Sequence, residues 1–354
     1  MIKLSKIITL CLLILVLVFY GSQITLAETF TAGQSAYTPW SADYYPTGKG
    51  QLHQGYRPDE LSPLAKYDLY TAQDGLATIW EQTNRPMTNT QFWYGYCHAW
   101  AAASILMEEP RFSHYDEETN LTFNVGDLKG YLLAAGYVPR GKMQGKGFAK
   151  TRVYQDLNLS DISPSILEYW LDHYIGKYKQ AFVMERSNGP EENPSAYQVW
   201  NHPVFKYQIT KEKVETPAGW KKYATVKVWF SAEFLTNPDA IGTRKLFKSY
   251  RYVLEDTNND NKVDRNYWIG SSIEDHPDYL WFPTGFFVGN SPGQSSASYA
   301  NPYLSFDTIL AILSEVRVAS SRPVAVYSSG WTDTTKFAKN AKFLGKVQCG
   351  GKAK

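Results

Sequence analysis

Apolar residues in the first half of the chain recur at helical spacing, and in the second half they alternate with polar ones. Helices are predicted at Pro63–Gln82, Cys97–Glu108, Val125–Ala135 (ending on Gly136) and Pro164–Lys179, where Ile166, Trp170, Leu171 and Ile175 form one stripe. Strands are predicted at Ala181–Glu185, Val204–Thr210, Tyr223–Phe230, Lys248–Glu255 and Tyr267–Ile269, with turns such as Pro217-Ala218-Gly219 between them. Early helices followed by antiparallel hairpins give an α+β class. The Pro/Tyr/Gly-rich segment Thr38–Arg57 reads as a stretch wrapped on the surface.

The amino terminus follows a different pattern. Lys3 and Lys6 precede an apolar run from Ile7 to Tyr20 and a polar stretch ending Thr25-Leu26-Ala27, which reads as a secretory signal cleaved before Glu28. The expected organisation is a signal over 1–27, a wrapping segment over 28–85, a catalytic core over 86–320 and a carboxy-terminal strand and tail over 321–354. Without Lys3 and Lys6 the chain has 34 basic residues against 34 acidic, so no basic excess points to nucleic acid. Cys97 and Cys349 are the only cysteines beyond the signal, which excludes a disulfide scaffold.

Cys97 stands where the Gly-containing stretch Gln91-Phe92-Trp93-Tyr94-Gly95-Tyr96 turns into the Ala-rich helix that Pro110 must end. A helix start offers unpaired N–H groups and the positive end of the macrodipole, an environment that favours a thiolate. Gln91, six residues upstream, has the spacing of an oxyanion donor. The general base is sought in two places. His276 lies in Glu274-Asp275-His276-Pro277-Asp278, with Asp275 and Asp278 as candidate orienting carboxylates, and His202 in Trp200-Asn201-His202-Pro203 is the alternative. Asp256, Asn258, Asp260 and Asp264 supply oxygens at positions 1, 3, 5 and 9 of a calcium-type loop, with Asn261 able to take the left-handed conformation at position 6. Position 12 is Tyr267, so the bidentate glutamate is missing.

Three motifs, Trp93-Tyr94-Gly95-Tyr96-Cys97-His98-Ala99-Trp100-Ala101, Val199-Trp200-Asn201-His202-Pro203-Val204 and His276-Pro277-Asp278-Tyr279-Leu280-Trp281, resemble in order and separation the secreted, elicitor-type transglutaminases of oomycete plant pathogens and marine vibrios. The resemblance runs from about Tyr45 to Leu313. It implies a papain-like core, a nucleophile at Cys97, and calcium-dependent acyl transfer from protein glutamine to lysine or a small amine. His202 stands where the oomycete elicitor peptide has glutamine, which moves the expected base to His276. Rings at Trp93, Tyr94, Tyr96, Trp100 and Trp281 are expected to wall an amine channel. A papain-like cysteine peptidase and a non-catalytic aromatic-rich binding protein are the alternative functions. An extracellular or periplasmic protein without an integral membrane segment is expected.

Overall fold

The structure, a computed structural model, describes residues 25–87, 92–135, 147–154, 162–187, 199–287 and 300–320. Strand β1 (Thr25–Gln34) is followed by the short helix α1 (Gln51–Gln54), α2 (Pro63–Thr71), α3 (Leu76–Asn84) and α4 (Cys97–Leu106). The small hairpin β2 (His114–Asp116) and β3 (Leu121–Phe123) leads to α5 (Val125–Ala135), β4 (Gly147–Tyr154) and α6 (Pro164–Trp170), which continues as a π-helical turn over Leu171–Lys177. Then come β5 (Phe182–Ser187), β6 (Val199–Thr216), β7 (Gly219–Ala232), β8 (Arg244–Asp256), β9 (Arg265–Trp268), β10 (Pro277–Phe287) and α7 (Phe306–Ser320).

All the large strands join one antiparallel sheet in the order β4-β10-β5-β6-β7-β8-β9, with β1 added along β6. The sheet curls so far that Trp268, in the last strand of that order, stacks on His276, the residue before β10. Two apolar clusters lie on opposite faces. One joins α2, α4, α5 and α7 to Val183, Phe205, Tyr279 and Trp281. The other joins α6 and the π turn to Phe182, Val204, Val226, Tyr250 and Leu280. The mixture of helices and antiparallel strands agrees with the α+β class.

Two expectations change. The single helix over 63–82 is two, because Ala72, Asp74 and Gly75 take left-handed φ values of 52°, 51° and 81°. Asp68, in α2, then accepts hydrogen bonds from the amides of Ala77 and Thr78, so one helix supplies the cap of the next. The segment around Trp40–Tyr45 is not a surface wrap. It is buried, with Trp40 and Tyr45 in the helical cluster and Asp43 holding the Tyr45 amide. Strand β1 begins with Thr25 and Leu26, which pair with Val214 and Lys213. Residues 1–24 and 321–354, including Cys349, lie outside the described residues, as does Gln91.

Candidate active site

Gly95 fixes the approach to Cys97. A Cβ there would lie 2.6 Å from the Tyr44 carbonyl oxygen and would overlap the Tyr44 ring, so only glycine lets the two backbones meet this closely. The Tyr96 amide donates to that same carbonyl at 2.7 Å, and the Trp100 amide donates to Tyr96 O at 2.9 Å, closing the first turn of α4. Tyr96 supplies no side-chain cap. Its hydroxyl instead donates to the buried Glu81 carboxylate of α3, with the Arg85 guanidinium 3.9 Å from its ring centroid. Burial pushes the Glu81 carboxyl up, opposed by Arg85 and Tyr96. Helix α4, with Ala101 and Ala103 fully buried, packs against β6 and β10.

Cys97, 9% exposed, meets Asn201 of β6. Asn201 Nδ2 donates to Cys97 Sγ at 3.8 Å, and Asn201 Oδ1 accepts from Trp281 Nε1 of β10 at 2.7 Å, which fixes the amide's orientation. The pairing of β5 with β6 sets Glu185 opposite Asn201, and Glu185 Oε1 accepts the Trp200 amide at 3.2 Å. The next residue, His202, places Nε2 3.0 Å from Glu233 Oε1 just beyond β7. Its ring meets Trp100 edge-on, 6.1 Å between centroids, and lies 4.8 Å from Phe230. Among the described residues its buried Nδ1 has no hydrogen-bond partner.

The electrostatics differ from the sequence expectation. Burial pushes the Cys97 thiol above its ordinary value; hydrogen bonds from the Asn201 backbone and side chain oppose this, and the charges of Glu233 and Glu185 add to it. The thiol is therefore the resting form, because desolvation and two carboxylates outweigh the helix start. Burial raises the Glu233 carboxyl as well, but His202 opposite it more than offsets this and leaves it below the ordinary glutamate value. Burial and the charges of Glu233, Asp43 and Cys97 keep the Tyr44 phenol protonated.

The expected aromatic channel is only partly assembled. Tyr96, Trp100 and Trp281 are core residues. The expected Trp93 and Tyr94 do lie outside the core and are joined by Trp200: Trp93 lies 6.3 Å from Trp200, the exposed Tyr94 packs on Trp93 at 4.4 Å, and the buried Tyr44 meets Trp200 edge-on at 5.2 Å.

His276 is held elsewhere. It stacks on Trp268 at 5.0 Å, its Nδ1 lies 2.9 Å from Ser272 O, and Trp268 packs against the apolar cluster on the face opposite α4. Asp275 is ion-paired to Lys248, and Asp278 lies half-buried on β10. The thiol thus meets Asn201 and feels the charges of Glu185 and Glu233, while His202 meets Glu233 beside Trp100, and His276 and Asp275 have the partners just given. Asn201 adjoined the named candidate His202; nothing local marked Glu185 or Glu233.

The calcium-type loop is a polar turn. Asp256 Oδ1 accepts the amides of Asn258 and Asn259 at 3.1 and 2.7 Å, and its Oδ2 accepts that of Asn261 at 2.8 Å. Asn258 accepts the Asp260 amide, Asp260 pairs with Lys262, and Asp264 accepts the amide and hydroxyl of Thr257. Asn261 does take the left-handed conformation, with φ 63°. The oxygens nevertheless spend themselves on backbone donors rather than converging, and among the described residues no group of three or more His, Cys, Asp or Glu is arranged to hold a metal.

A family model described as transglutaminase elicitor matches residues 70–234. That span contains Cys97, Glu185, Asn201, His202 and Glu233; it excludes His276 and the 256–264 turn. The crystal structure of the GP42 transglutaminase from Phytophthora sojae superposes with a TM-score of 0.62 at 18% identity, covering 82% of this chain and 92% of that one, so the two share a fold. No curated protein matched the sequence. No helix among the described residues is long and apolar enough to cross a membrane. Over the segment that carries the thiol the chain is thus similar to the transglutaminase elicitor family, and over most of its length it shares the fold of a transglutaminase.

Proposed function

We propose that the protein is a protein-glutamine acyltransferase with a papain-like arrangement in which Cys97 is the nucleophile and His202, held by Glu233, is the proton carrier. The observation that carries this reading is the Asn201 amide, itself fixed by Trp281, donating to Cys97 Sγ at the first residue of a helix inside the family-matched segment. A buried thiol with a dedicated amide donor and a neighbouring imidazole–carboxylate pair has the components of a cysteine acyl-transfer site.

In this mechanism the Cys97 thiol gives its proton to the imidazole as Sγ attacks the γ-carboxamide carbon of a glutamine side chain. The developing oxyanion is stabilised by the Cys97 N–H at the start of α4 and by the side-chain amide of Gln91, six residues upstream in the sequence. His202 returns the proton to the departing ammonia, leaving a thioester. A lysine or small-molecule amine then attacks the thioester, its proton passes through His202 to the sulfur, and the free thiol is restored with one amide bond formed and one ammonia released. Glu233 on Nε2 fixes the ring so that Nδ1 is the exchanging atom. Export, read from the pattern of residues 1–27, gives the enzyme extracellular protein substrates.

The test is incorporation of monodansylcadaverine into casein by the chain starting at Glu28, compared with its Cys97→Ser variant. Incorporation by the parent that falls by ~10³-fold or more in the variant is expected, as for loss of any covalent nucleophile. Equal incorporation by both overturns the assignment, and casein cleavage without incorporation replaces it with a peptidase.

A further inference from the structure

One cation beside the His202 and Glu233 pair takes no part in the proposed mechanism. Arg186 lies on β5 opposite Trp200, while Met184, two residues earlier, lies opposite His202, so Arg186 and His202 are diagonal neighbours on one face of the sheet. The Phe230 ring of β7 meets both. The Arg186 guanidinium carbon is 5.3 Å from its centroid, and the His202 ring centroid is 4.8 Å from it. Among the described residues the buried Nε of Arg186 has no hydrogen-bond partner. Its charge nevertheless reaches Glu233: burial raises that carboxyl, and the charge and hydrogen bond of His202, its own backbone amide and Arg186 together bring it below the ordinary value.

The imidazole can take the Cys97 proton only while it is neutral. In that state it gives Glu233 no counter-charge, and desolvation drives a carboxylate only 10% exposed to bind a proton of its own. Once the pair holds one proton, on either partner, its capacity to take the thiol proton is gone. A guanidinium stays charged across the whole working range, so Arg186 is a cation that does not come and go. The other groups facing the pair are engaged or cannot supply that charge. Arg244 donates to the Glu233 backbone carbonyl at 3.2 Å, and Lys49 and Lys248 pair with Asp43 and Asp275. Tyr44 and Cys97 are held protonated chiefly by burial. On β8, burial keeps the Tyr250 phenol protonated, with Arg186 opposing and Asp275, Glu185 and Asp278 adding to the effect.

We propose that Arg186 is a positioning residue whose fixed positive charge, set against the far side of Phe230, keeps Glu233 ionised while His202 is neutral. The carboxylate can then align the ring and stabilise the imidazolium as it forms. The part this plays in turnover rests on the acyl-transfer reading, whereas the charge coupling does not. Both are read from Arg186→Gln, which removes the charge, and Arg186→Lys, which keeps it. Arg186→Met, whose stem can still lie on Phe230, replaces the glutamine variant should that one not fold.

In a Cys97→Ser background, imidazole nitrogen chemical shifts follow the titration of His202, whose signal is assigned by its loss in His202→Gln. Without the cation the pair should bind its first proton about tenfold more tightly, which moves the midpoint up by about one pH unit, and Arg186→Lys should return it close to the parent value. In the active protein the acid limb of kcat/KM for monodansylcadaverine incorporation should move up by the same amount in Arg186→Gln and be restored in Arg186→Lys. An unmoved midpoint in the neutral variant, or an equal shift in Arg186→Lys, overturns the proposal. So does a loss of activity at every pH with the limb in place, which is what lost packing alone produces. A charge-dependent shift of the midpoint in a protein that incorporates no amine would leave the coupling of Arg186 to the pair standing and remove acyl transfer instead.

Discussion

The Cys97 pocket and the Asp256–Asp264 turn are built from the same polar residue types, yet they satisfy them over opposite distances. The hydrogen bonds to carboxylates in the turn stay within eight residues, mostly from backbone amides two to five positions on. In the pocket the partners come from afar: Asn201 reaches Cys97 across 104 residues, and Trp281 reaches Asn201 across 80. Local pairing is how Asn and Asp make turns, and it needs no ligand. Polar groups gathered into a core from distant segments cost desolvation, and the Nδ1 of His202 is left without a partner there. The difference shows why residue type alone misplaces a site.

The sharpest way to break this contrast is to exchange the two histidines' expected roles. His202→Ala should lower monodansylcadaverine incorporation by ~10²–10⁴-fold, the usual loss for a general base. His276→Ala removes a ring stacked on Trp268 beside the sheet edge and should cost less than tenfold. Steady-state rates on the two purified variants decide it, with Glu233→Gln expected to fall between them because the imidazole survives but loses its orienting charge. A larger loss at His276 would return the catalytic role to the segment first chosen from sequence.

That first choice has an identifiable origin in the sequence. His276 is flanked in sequence by Asp275 and Asp278, and sequence proximity looks like a prepared triad. Strand geometry instead sends these neighbours to different surroundings, Asp275 to Lys248 and His276 to Trp268. What could be read was local. Val125–Ala135 is the helix its pattern predicts, the Cys97 helix begins where the glycine loop says it must, and the Pro217-Ala218 turn joins β6 to β7. The pairing of β10 with β4 and β5 and the burial of Trp40–Tyr45 had no local signal, because both depend on contacts far apart in the chain. Glu233, the partner of His202, is a single carboxylate after a strand, and nothing nearby in sequence distinguishes it.

The state of the thiol offers a second way to sharpen the comparison. With its pKa raised, Cys97 is protonated below its ordinary titration range and ionises only as pH rises through the elevated native value. Its alkylation by iodoacetamide should therefore climb about tenfold per pH unit from 7 to 9 with no plateau. A rate already flat at pH 7 would mean that a His202–Cys97 ion pair holds the thiolate. Gly95→Ala tests the scaffold beneath it. The added methyl meets the Tyr44 carbonyl and ring, neither of which can swing aside, so a stability loss of about 1–3 kcal/mol is expected by denaturant titration. The same substitution should displace the Cys97 helix start, so incorporation should fall further than stability alone explains.

The smallest effect is expected in the turn, and it separates a structural Asp from a metal ligand. Burial raises the Asp256 carboxyl, but the amides of Asn258, Asn261 and Asn259 outweigh it and hold it below the ordinary aspartate value. Its ionised form thus contributes stability that is present above the unfolded-state value and lost as pH falls through the lower native one. Asp256→Ala removes the acceptor of three backbone amides and should lower Tm by roughly 2–4 °C at pH 7. As pH falls through the lowered native value the parent carboxyl protonates as well, and the gap between parent and variant should shrink. Calcium is the other axis of the same experiment. A ligand at this position would stabilise the parent by mass action and leave the variant unmoved, so the Tm gap would widen as calcium rises to millimolar concentrations. A gap that is the same with chelator and with 10 mM calcium is the outcome expected of oxygens already committed to the backbone, and a widening gap would mean that the turn rearranges to bind the ion.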